Sequence, residues 1–125
     1  MAANILVVED DLSNRDLICR MLRKEGHRVV EAGDGAIALK IVEMLQFDLV
    51  ITDFVMPNLN GLNFVEELHS LQPRLPVIFI TGYLSVISGK TILDDVDVAE
   101  ILPKPFAFGA LRSTVHRLLI NSAAC

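Results

Sequence analysis

The 125-residue sequence lacks the features that would place it in a membrane or on nucleic acid. No apolar run approaches the roughly 20 residues that a membrane-spanning helix needs. The N-terminal stretch MAANILVVEDD has no basic segment of the kind that opens a signal peptide. Acidic residues outnumber basic ones by 16 to 11, and the net charge of -5 argues against direct binding to nucleic acid. These absences predict a cytoplasmic protein that contacts neither membranes nor nucleic acid directly.

Cysteine is also scarce, and the two that are present form no spacing motif. Cys19 lies within a helical pattern and Cys125 is the last residue, so both are expected as free thiols in a reducing compartment. Repeats, low-complexity segments and linkers are absent as well. A chain of this length without internal boundaries predicts one domain, residues 1–125, with a single hydrophobic core.

Short apolar runs of strand length alternate with amphipathic segments. The runs are ILVV (5–8), HRVVEA (27–32), DLVIT (48–52), PVIFIT (76–81) and AEIL (99–102). Nearly continuous apolar character in three of them is typical of strands that are covered on both faces. The segments between the runs have helical spacing. The resulting βαβαβαβαβα order predicts an α/β fold, with a five-stranded parallel sheet and helices on both sides.

Two of the helical segments differ in the strength of their pattern. In GAIALKIVEML, Ile37, Ile41 and Leu45 recur every four residues, which indicates one apolar face, backed by Ala38 and Val42. The fourth helical segment, within YLSVISGKTILDDVDV, contains a glycine, β-branched residues, and serines and aspartates that favour turns. We therefore expect the fourth helix to be short, frayed or irregular.

Charged and hydroxyl side chains follow the ends of the predicted strands. They are Glu9 and Asp10 after the first strand, Asp53 after the third, Thr81 after the fourth and Lys104 after the fifth. Ligands of open α/β sheets bind outside the carboxyl ends of the strands, so these side chains are expected to meet at one edge. Carboxylates about 4 Å apart repel by roughly 4 kcal/mol per pair at an effective dielectric of about 20, so the cluster requires cations. One lysine and one divalent ion balance three carboxylates, and oxygen-only ligands predict Mg²⁺ or Mn²⁺.

This set of side chains has the chemistry of phosphoryl transfer. Asp53 is the predicted nucleophile and would become an acyl phosphate. The metal ion and Lys104 would neutralise the phosphoryl oxygens as charge develops, and Thr81 would donate a hydrogen bond to one of them. The turn after the third strand would bring a backbone carbonyl, that of Val55, to the metal.

Other interpretations of the same residues remain open. Asp53 could cap a turn, Thr81 could merely end a strand, and Lys104 could be a solvated surface lysine. Asp11 fits the role of a helix cap better than the two acids before it. The stretch GDGAIA (33–38) formally matches a dinucleotide-binding loop, but it follows the weak second strand instead of the first. An aspartyl-phosphate hydrolase would need an acid where this chain has a valine, and a flavodoxin-like FMN carrier would need a hydroxyl-rich loop after the first strand.

Four segments together resemble the response-regulator receiver domain of two-component signalling: ILVVEDD, DLVITDFVMPNLNG, VIFITGY and LPKPF. The resemblance implies one receiver domain, residues 1–125 with a core of about 4–121, folded as a flavodoxin-like (βα)5 three-layer sandwich of strand order 2-1-3-4-5. It implies that a histidine kinase or histidine phosphotransfer protein phosphorylates Asp53, with Asp10 as a direct metal ligand and Glu9 acting through water. It also implies a cis peptide between Lys104 and Pro105 that aims the lysine at the site. Such a domain is not a separate enzyme, since it catalyses only its own phosphorylation and dephosphorylation.

The sequence departs from the receiver pattern three residues before Lys104. Receivers usually carry tyrosine or phenylalanine there, whereas this chain has Ile101, which cannot make the same rotation with a polar tip. We therefore expect phosphorylation to act weakly on the face of the fourth helix, fifth strand and fifth helix, where a downstream effector or a second copy would bind. The alternative function is a receiver-fold adaptor that binds proteins with little or no dependence on phosphorylation.

Two further positions are expected to set the lifetime of the acyl phosphate. Val55 and Tyr83 lie two residues beyond Asp53 and Thr81, where they would flank the path of an attacking water. Both are bulky, and neither is an acid or an amide that could orient the water. We expect the phosphoryl group to be lost slowly for a member of this family.

Overall fold

The computed structural model describes residues 2–53, 55–56, 59–81, 100–103 and 107–123. Its strands are β1 (Asn4–Val8), β2 (Arg28–Ala32), β3 (Leu49–Asp53), β4 (Val55–Met56), β5 (Leu59–Asn60), β6 (Val77–Thr81) and β7 (Glu100–Pro103). Its helices are α1 (Leu12–Lys24), α2 (Gly35–Met44), α3 (Gly61–Leu71) and α4 (Phe108–Ala123). The segment expected to hold the irregular fourth helix, residues 83–98, lies outside the described residues, so α4 corresponds to the last helix of the predicted order. None of the described helices is long and apolar enough to cross a membrane.

Five of the strands form one parallel sheet in the order β2-β1-β3-β6-β7. When only these five are numbered along the chain, the order is 2-1-3-4-5, which confirms the predicted fold. The register aligns the carboxyl ends of the central strands, because Val8 lies opposite Thr52 and Asp53 lies opposite Ile80. The sequence did not predict the remaining two strands, β4 and β5, which pair antiparallel after β3.

The central strands β1 and β3 are buried on both faces, which explains their continuous apolar runs, whereas the edge strand β2 is partly exposed. Alternate residues of β1 belong to different clusters, Leu6 and Val8 to one, and Ile5 and Val7 to the other. The first cluster includes buried residues of α2 and α3, and the second includes buried residues of α1 and α4. Helices therefore cover the sheet on both sides in three layers, as predicted. Each fully buried valine, leucine or isoleucine contributes about 1.5–3 kcal/mol to this packing.

The buried face of α2 matches the predicted apolar face only in part. Ala38 and Val42 are buried, whereas Ile37 and Leu45 are 48% and 49% exposed. Four residues turn a helix slightly more than once, so a repeat of four drifts by about 40° at each step. In addition, α2 ends at Met44, which leaves Leu45 outside the helix. Ala38 is fully buried, Ile41 is partly buried against the same core cluster, and Ile37 is about half exposed.

Aspartates begin the first two helices. The Asp11 side chain accepts a hydrogen bond from the Asn14 N–H at 3.1 Å, and the Asp34 side chain accepts one from the Ile37 N–H at 2.8 Å. An N-cap of this kind satisfies one of the N–H groups that the helix itself leaves without a partner. The cap at Asp11 confirms the role predicted for it. Asp10 is therefore not needed as the cap of α1.

Candidate functional site

Two neighbouring strands end in acidic residues at the same edge of the sheet. β1 ends at Val8, and Glu9 and Asp10 follow it directly, whereas Asp53 is the last residue of β3. The two strands are adjacent and parallel, and Val8 lies opposite Thr52. The backbone therefore brings the three acids to nearly the same level along the strands.

The three carboxylates form a compact cluster. One oxygen from each of Glu9, Asp10 and Asp53 lies within 4.8 Å of the others. Asp10 is exposed, whereas Glu9 and Asp53 are 3% and 9% exposed. Two like charges at a separation of 4.8 Å repel by roughly 3 kcal/mol at an effective dielectric of about 20. A cation at this position therefore relieves repulsion that folding has created.

The donor atoms of the cluster fit a hard divalent cation. All three groups offer carboxylate oxygens, which Mg²⁺ and Mn²⁺ prefer to nitrogen or sulfur. Mg²⁺ also keeps several waters and binds phosphate oxygens, and the exposed position of Asp10 gives access for both. Within the described part of the chain, no other group of three or more possible ligands comes this close together.

Hydrogen bonds to the backbone hold the acids in place. The Glu9 N–H donates to the Ala32 carbonyl at 3.1 Å, and the Asp11 N–H donates to the Glu9 carboxylate at 3.3 Å. The Thr52 hydroxyl donates to the Asp53 carbonyl at 3.1 Å in the buried end of β3. The site is thus built on strand ends and on the residues that directly follow them.

One basic residue next to the site was not anticipated from the sequence. Arg15 Nη1 donates to the Glu9 carbonyl at 2.9 Å, and Arg15 Nε lies 3.2 Å from the Glu31 carboxylate. The sequence did place Arg15 near the site, because Arg15 comes four residues after the Asp11 cap and so lies in the first part of α1. Nothing in the sequence, however, pairs Arg15 with Glu31, which is 16 residues away.

The other predicted site residues differ in how far the structure describes them. Thr81 ends β6, next to β3 in the sheet, and Val55 begins β4, two residues beyond Asp53. The backbone of both therefore lies near the edge where the acids meet. Outside the described residues lie Tyr83, Lys104 and Pro105. Their roles, including the cis peptide, stay predictions.

Ile101 lies within β7, opposite Phe79 of β6. Its side chain is half-buried and packs against the core cluster that includes residues of α2 and α3. The next residue, Leu102, packs against the opposite cluster. The position where receivers usually carry an aromatic ring is therefore occupied by an aliphatic residue that takes part in the core.

Comparison with known sequences gives a separate line of evidence. A family model described as response regulator receiver domain matches residues 5–116. The response regulator receiver protein CpdR of Brucella abortus is 32% identical over 119 residues, covering 93% of this chain and 96% of CpdR. The sensor kinase CckA of Brucella abortus is 35% identical over 120 residues, and the transcriptional regulatory protein ZraR of Escherichia coli K12 is 34% identical over 119 residues. These matches cover 94% and 95% of this chain, but 13% of CckA and 27% of ZraR.

Solved structures with the same arrangement of elements are also known. The CheY-like receiver domain protein of Methanospirillum hungatei JF-1 superposes with a TM-score of 0.92 at 25% identity, covering 99% of this chain and 98% of that one. The receiver domain of the sensor histidine kinase PA1611 of Pseudomonas aeruginosa PAO1 superposes with a TM-score of 0.84 at 27% identity, covering 95% and 98% of the two chains. In that structure a magnesium ion is coordinated in the active-site cleft.

Proposed function

The chain belongs to the response regulator receiver domain family of two-component signalling, and from this premise we propose that it is a magnesium-dependent phosphoryl acceptor, modified on Asp53. The proposed donor is a phosphohistidine of a histidine kinase or of a histidine phosphotransfer protein. The observation that carries the proposal is the meeting of Glu9, Asp10 and Asp53, whose oxygens lie within 4.8 Å of one another. The magnesium ion in the cleft of the PA1611 receiver domain supports the choice of metal.

In the proposed reaction, a carboxylate oxygen of Asp53 attacks the phosphorus of the donor phosphohistidine. The new P–O bond forms as the P–N bond breaks, and the imidazole, protonated on its other ring nitrogen, leaves as a neutral ring with the electron pair of that bond. When bound, the magnesium ion supplies positive charge next to the phosphoryl oxygens. Asp10 and Asp53 are its proposed direct ligands, together with the backbone carbonyl of Val55, and Glu9 acts through a water.

The remaining site residues act on the transferred group. The Thr81 hydroxyl donates a hydrogen bond to one phosphoryl oxygen, and the Lys104 ammonium pairs with another. Phosphoryl transfer depends mainly on positioning and charge, so neither residue needs a covalent role. Val55 and Tyr83 limit the access of water and so set the lifetime of the acyl phosphate. The domain therefore catalyses its own phosphorylation and dephosphorylation and turns over no separate substrate.

The proposed setting of this chemistry is a cytoplasmic receiver domain, residues 1–125, that signals to other proteins. The proposed output face is formed by the segment 82–99, β7 and α4, where a downstream effector or a second copy of the domain binds. Direct contact with nucleic acid or with a membrane is not part of the proposal. Among the described residues, Cys19 is a buried free thiol. Burial raises the pKa of this thiol to about 11, so it stays protonated and unreactive at neutral pH.

The direct test combines acetyl phosphate, a small acyl-phosphate donor, with Mg²⁺ and measures the intact mass of the protein. We expect a gain of one phosphoryl group, which Asp53→Asn abolishes because an amide is a poor nucleophile. Asp16→Asn is the matched control, since Asp16 is a surface aspartate paired with Arg20 at 2.9 Å. This control should gain the same mass as the wild type. A gain that persists in Asp53→Asn, or its absence from the wild type, would contradict the proposal.

A receiver-fold adaptor is the second candidate, and Ile101 is the observation that favours it. Ile101 has no polar tip, and it is half-buried against the core, so it has no second hydrogen-bonded position to occupy. An adaptor would bind its partner equally well with and without the phosphoryl group on Asp53. A phosphorylation switch would change that affinity, and Asp53→Asn would remove the change.

A further inference from the structure

The Arg15 side chain joins the acidic cluster to the neighbouring strand β2. Its Nη1 donates to the Glu9 carbonyl at 2.9 Å, and its Nε donates to Glu31 Oε1 at 3.2 Å. The Arg15 N–H donates in turn to the Asp11 carbonyl at 2.9 Å, which anchors the residue in the first part of α1. One guanidinium thus links the connection between β1 and α1, which carries Glu9 and Asp10, to the end of β2.

The backbone of Glu9 is held from two sides. Its N–H donates to the Ala32 carbonyl at 3.1 Å, and its carbonyl accepts from Arg15 at 2.9 Å. A residue that is bonded through both its N–H and its carbonyl has little freedom to rotate about its own backbone. The directions of the Glu9 carboxylate and of Asp10, the next residue, are constrained as a result.

The surroundings of Arg15 are arranged for a guanidinium. The side chains of Arg15 and Glu31 are 19% and 34% exposed, which makes this pair less solvated than a typical surface pair. Arg23 Nη2 lies 3.3 Å from the other Glu31 oxygen and also donates to the Val29 carbonyl, so Glu31 is held from its far side. Gly33 leaves the necessary space, because a Cβ at that position would lie 3.1 Å from Arg15 Nη1. A lysine would supply the charge but not two donors in this fixed geometry.

We propose that Arg15 is a positioning residue, which sets the affinity of the acidic cluster for a divalent cation by holding the backbone of Glu9. The inference rests on the proposed function, because it takes Glu9, Asp10 and Asp53 as the residues that hold the metal. Arg15 has two opposite effects on a cation. Its charge repels the ion, whereas its hydrogen bonds hold the ligands in the binding arrangement. The positioning effect is the larger one, so removing Arg15 weakens cation binding even though it relieves repulsion.

The test is the dissociation constant for Mn²⁺, measured on the full chain from the electron paramagnetic resonance signal of the free ion, with no phosphoryl donor present. Arg15→Met removes the charge and both hydrogen bonds while keeping much of the side-chain length. Positioning predicts that the dissociation constant rises about tenfold, as is typical when a partner of a metal ligand is lost. Charge repulsion alone predicts that it falls. Arg15→Lys keeps the charge, so any weakening in that variant reports geometry alone.

Arg20→Met is the matched control. Arg20 is also an arginine of α1, but its side chain is 75% exposed and pairs with Asp16 at 2.9 Å. Its dissociation constant should stay within about twofold of the wild-type value. Glu31→Gln changes the partner of Arg15 instead of Arg15 itself, and it should raise the dissociation constant for Mn²⁺, as Arg15→Lys does. Urea unfolding of each variant shows whether the protein is folded. Arg15→Lys and Glu31→Gln are the milder variants, and they carry the test if Arg15→Met does not fold.

The outcomes separate this inference from the proposed function. Unchanged or lower dissociation constants in Arg15→Met and Arg15→Lys would overturn the inference and leave phosphorylation of Asp53 untouched. Weaker Mn²⁺ binding in both variants, without any phosphoryl gain on Asp53, would support the inference and contradict the proposed function. A wild-type protein that binds Mn²⁺ no better than Asp53→Asn would overturn both.

Discussion

At the scale of single residues, aspartates of this chain differ in role because they differ in surroundings. Asp11 and Asp34 lie at helix starts, where backbone N–H groups bind their carboxylates. Asp53 ends a buried strand and is 9% exposed, next to the carboxylates of Glu9 and Asp10. An acid at a helix start accepts hydrogen bonds from the helix itself, whereas carboxylates that lie close together repel one another, and a cation between them would relieve that repulsion. Their positions at the ends of parallel strands were enough to predict that Glu9, Asp10 and Asp53 lie close together.

Ile101 gives a prediction at this scale. Beryllofluoride with Mg²⁺ mimics the acyl phosphate, and the backbone amide shifts can be recorded by NMR with and without it. We expect large shifts around Asp53 and small ones around Ile101, because an aliphatic side chain packed against the core has no alternative polar contact. Ile101→Tyr should enlarge the response along β7, and Ile101→Val serves as the control that should not. If the wild-type amide shifts at Ile101 were as large as those at Asp53, the predicted weak response at Ile101 would be wrong.

At the scale of helices and strands, the signals at the ends of elements were more informative than the apolar faces. α1 begins after the Asp11 cap and ends at Lys24, and Gly26 then adopts a φ of 94°, which side chains rarely tolerate. These ends depend on one or two residues in contact with their own helix. The buried face of α2 depends instead on how the helix lies on the sheet, and its apolar repeat did not predict the exposure of Ile37.

The cap of α2 gives a prediction for this scale. Asp34→Ala removes the acceptor of the 2.8 Å bond from the Ile37 N–H, so the free energy of unfolding should fall by about 1 kcal/mol. Asp34→Asn keeps an oxygen that can accept the bond, and it should retain most of the stability. Urea denaturation followed by circular dichroism measures both. If the alanine and asparagine variants were equally stable, the cap would contribute nothing.

Across the whole molecule, the fold places negative charge at one edge of a sheet whose central strands are buried among apolar residues. The chain carries a net charge of -5, and three of its carboxylates meet within 4.8 Å. Folding therefore creates a repulsion that the unfolded chain does not have. A cation bound at this edge should stabilise the folded molecule as a whole, because it binds the folded state and not the unfolded one.

Metal removal tests this expectation on the complete domain. Mg²⁺ at one hundred times its dissociation constant should add about 2.7 kcal/mol of stability, which raises the thermal midpoint by roughly 10 °C. EDTA should reverse the gain, and NaCl at equal ionic strength should not reproduce it. Asp53→Asn should be at least as stable as the wild type without metal, because one repelling charge is gone, and it should gain much less from Mg²⁺. A thermal midpoint that does not change when Mg²⁺ is added would contradict a cation site at this edge of the sheet.

The amino-acid sequence was enough to predict the five parallel strands, the described helices between and after them, and the edge of the sheet at which the acids lie. Those features depend on local periodicity and on the geometry of parallel strands, which bring their carboxyl ends together. The exposure of Ile37 and Leu45, the pairing of β4 with β5, and the contact of Arg15 with Glu31 and the Glu9 backbone became visible only in the folded structure. These features depend on how finished elements pack against one another. That packing joins residues whose separation along the chain carries no regular pattern.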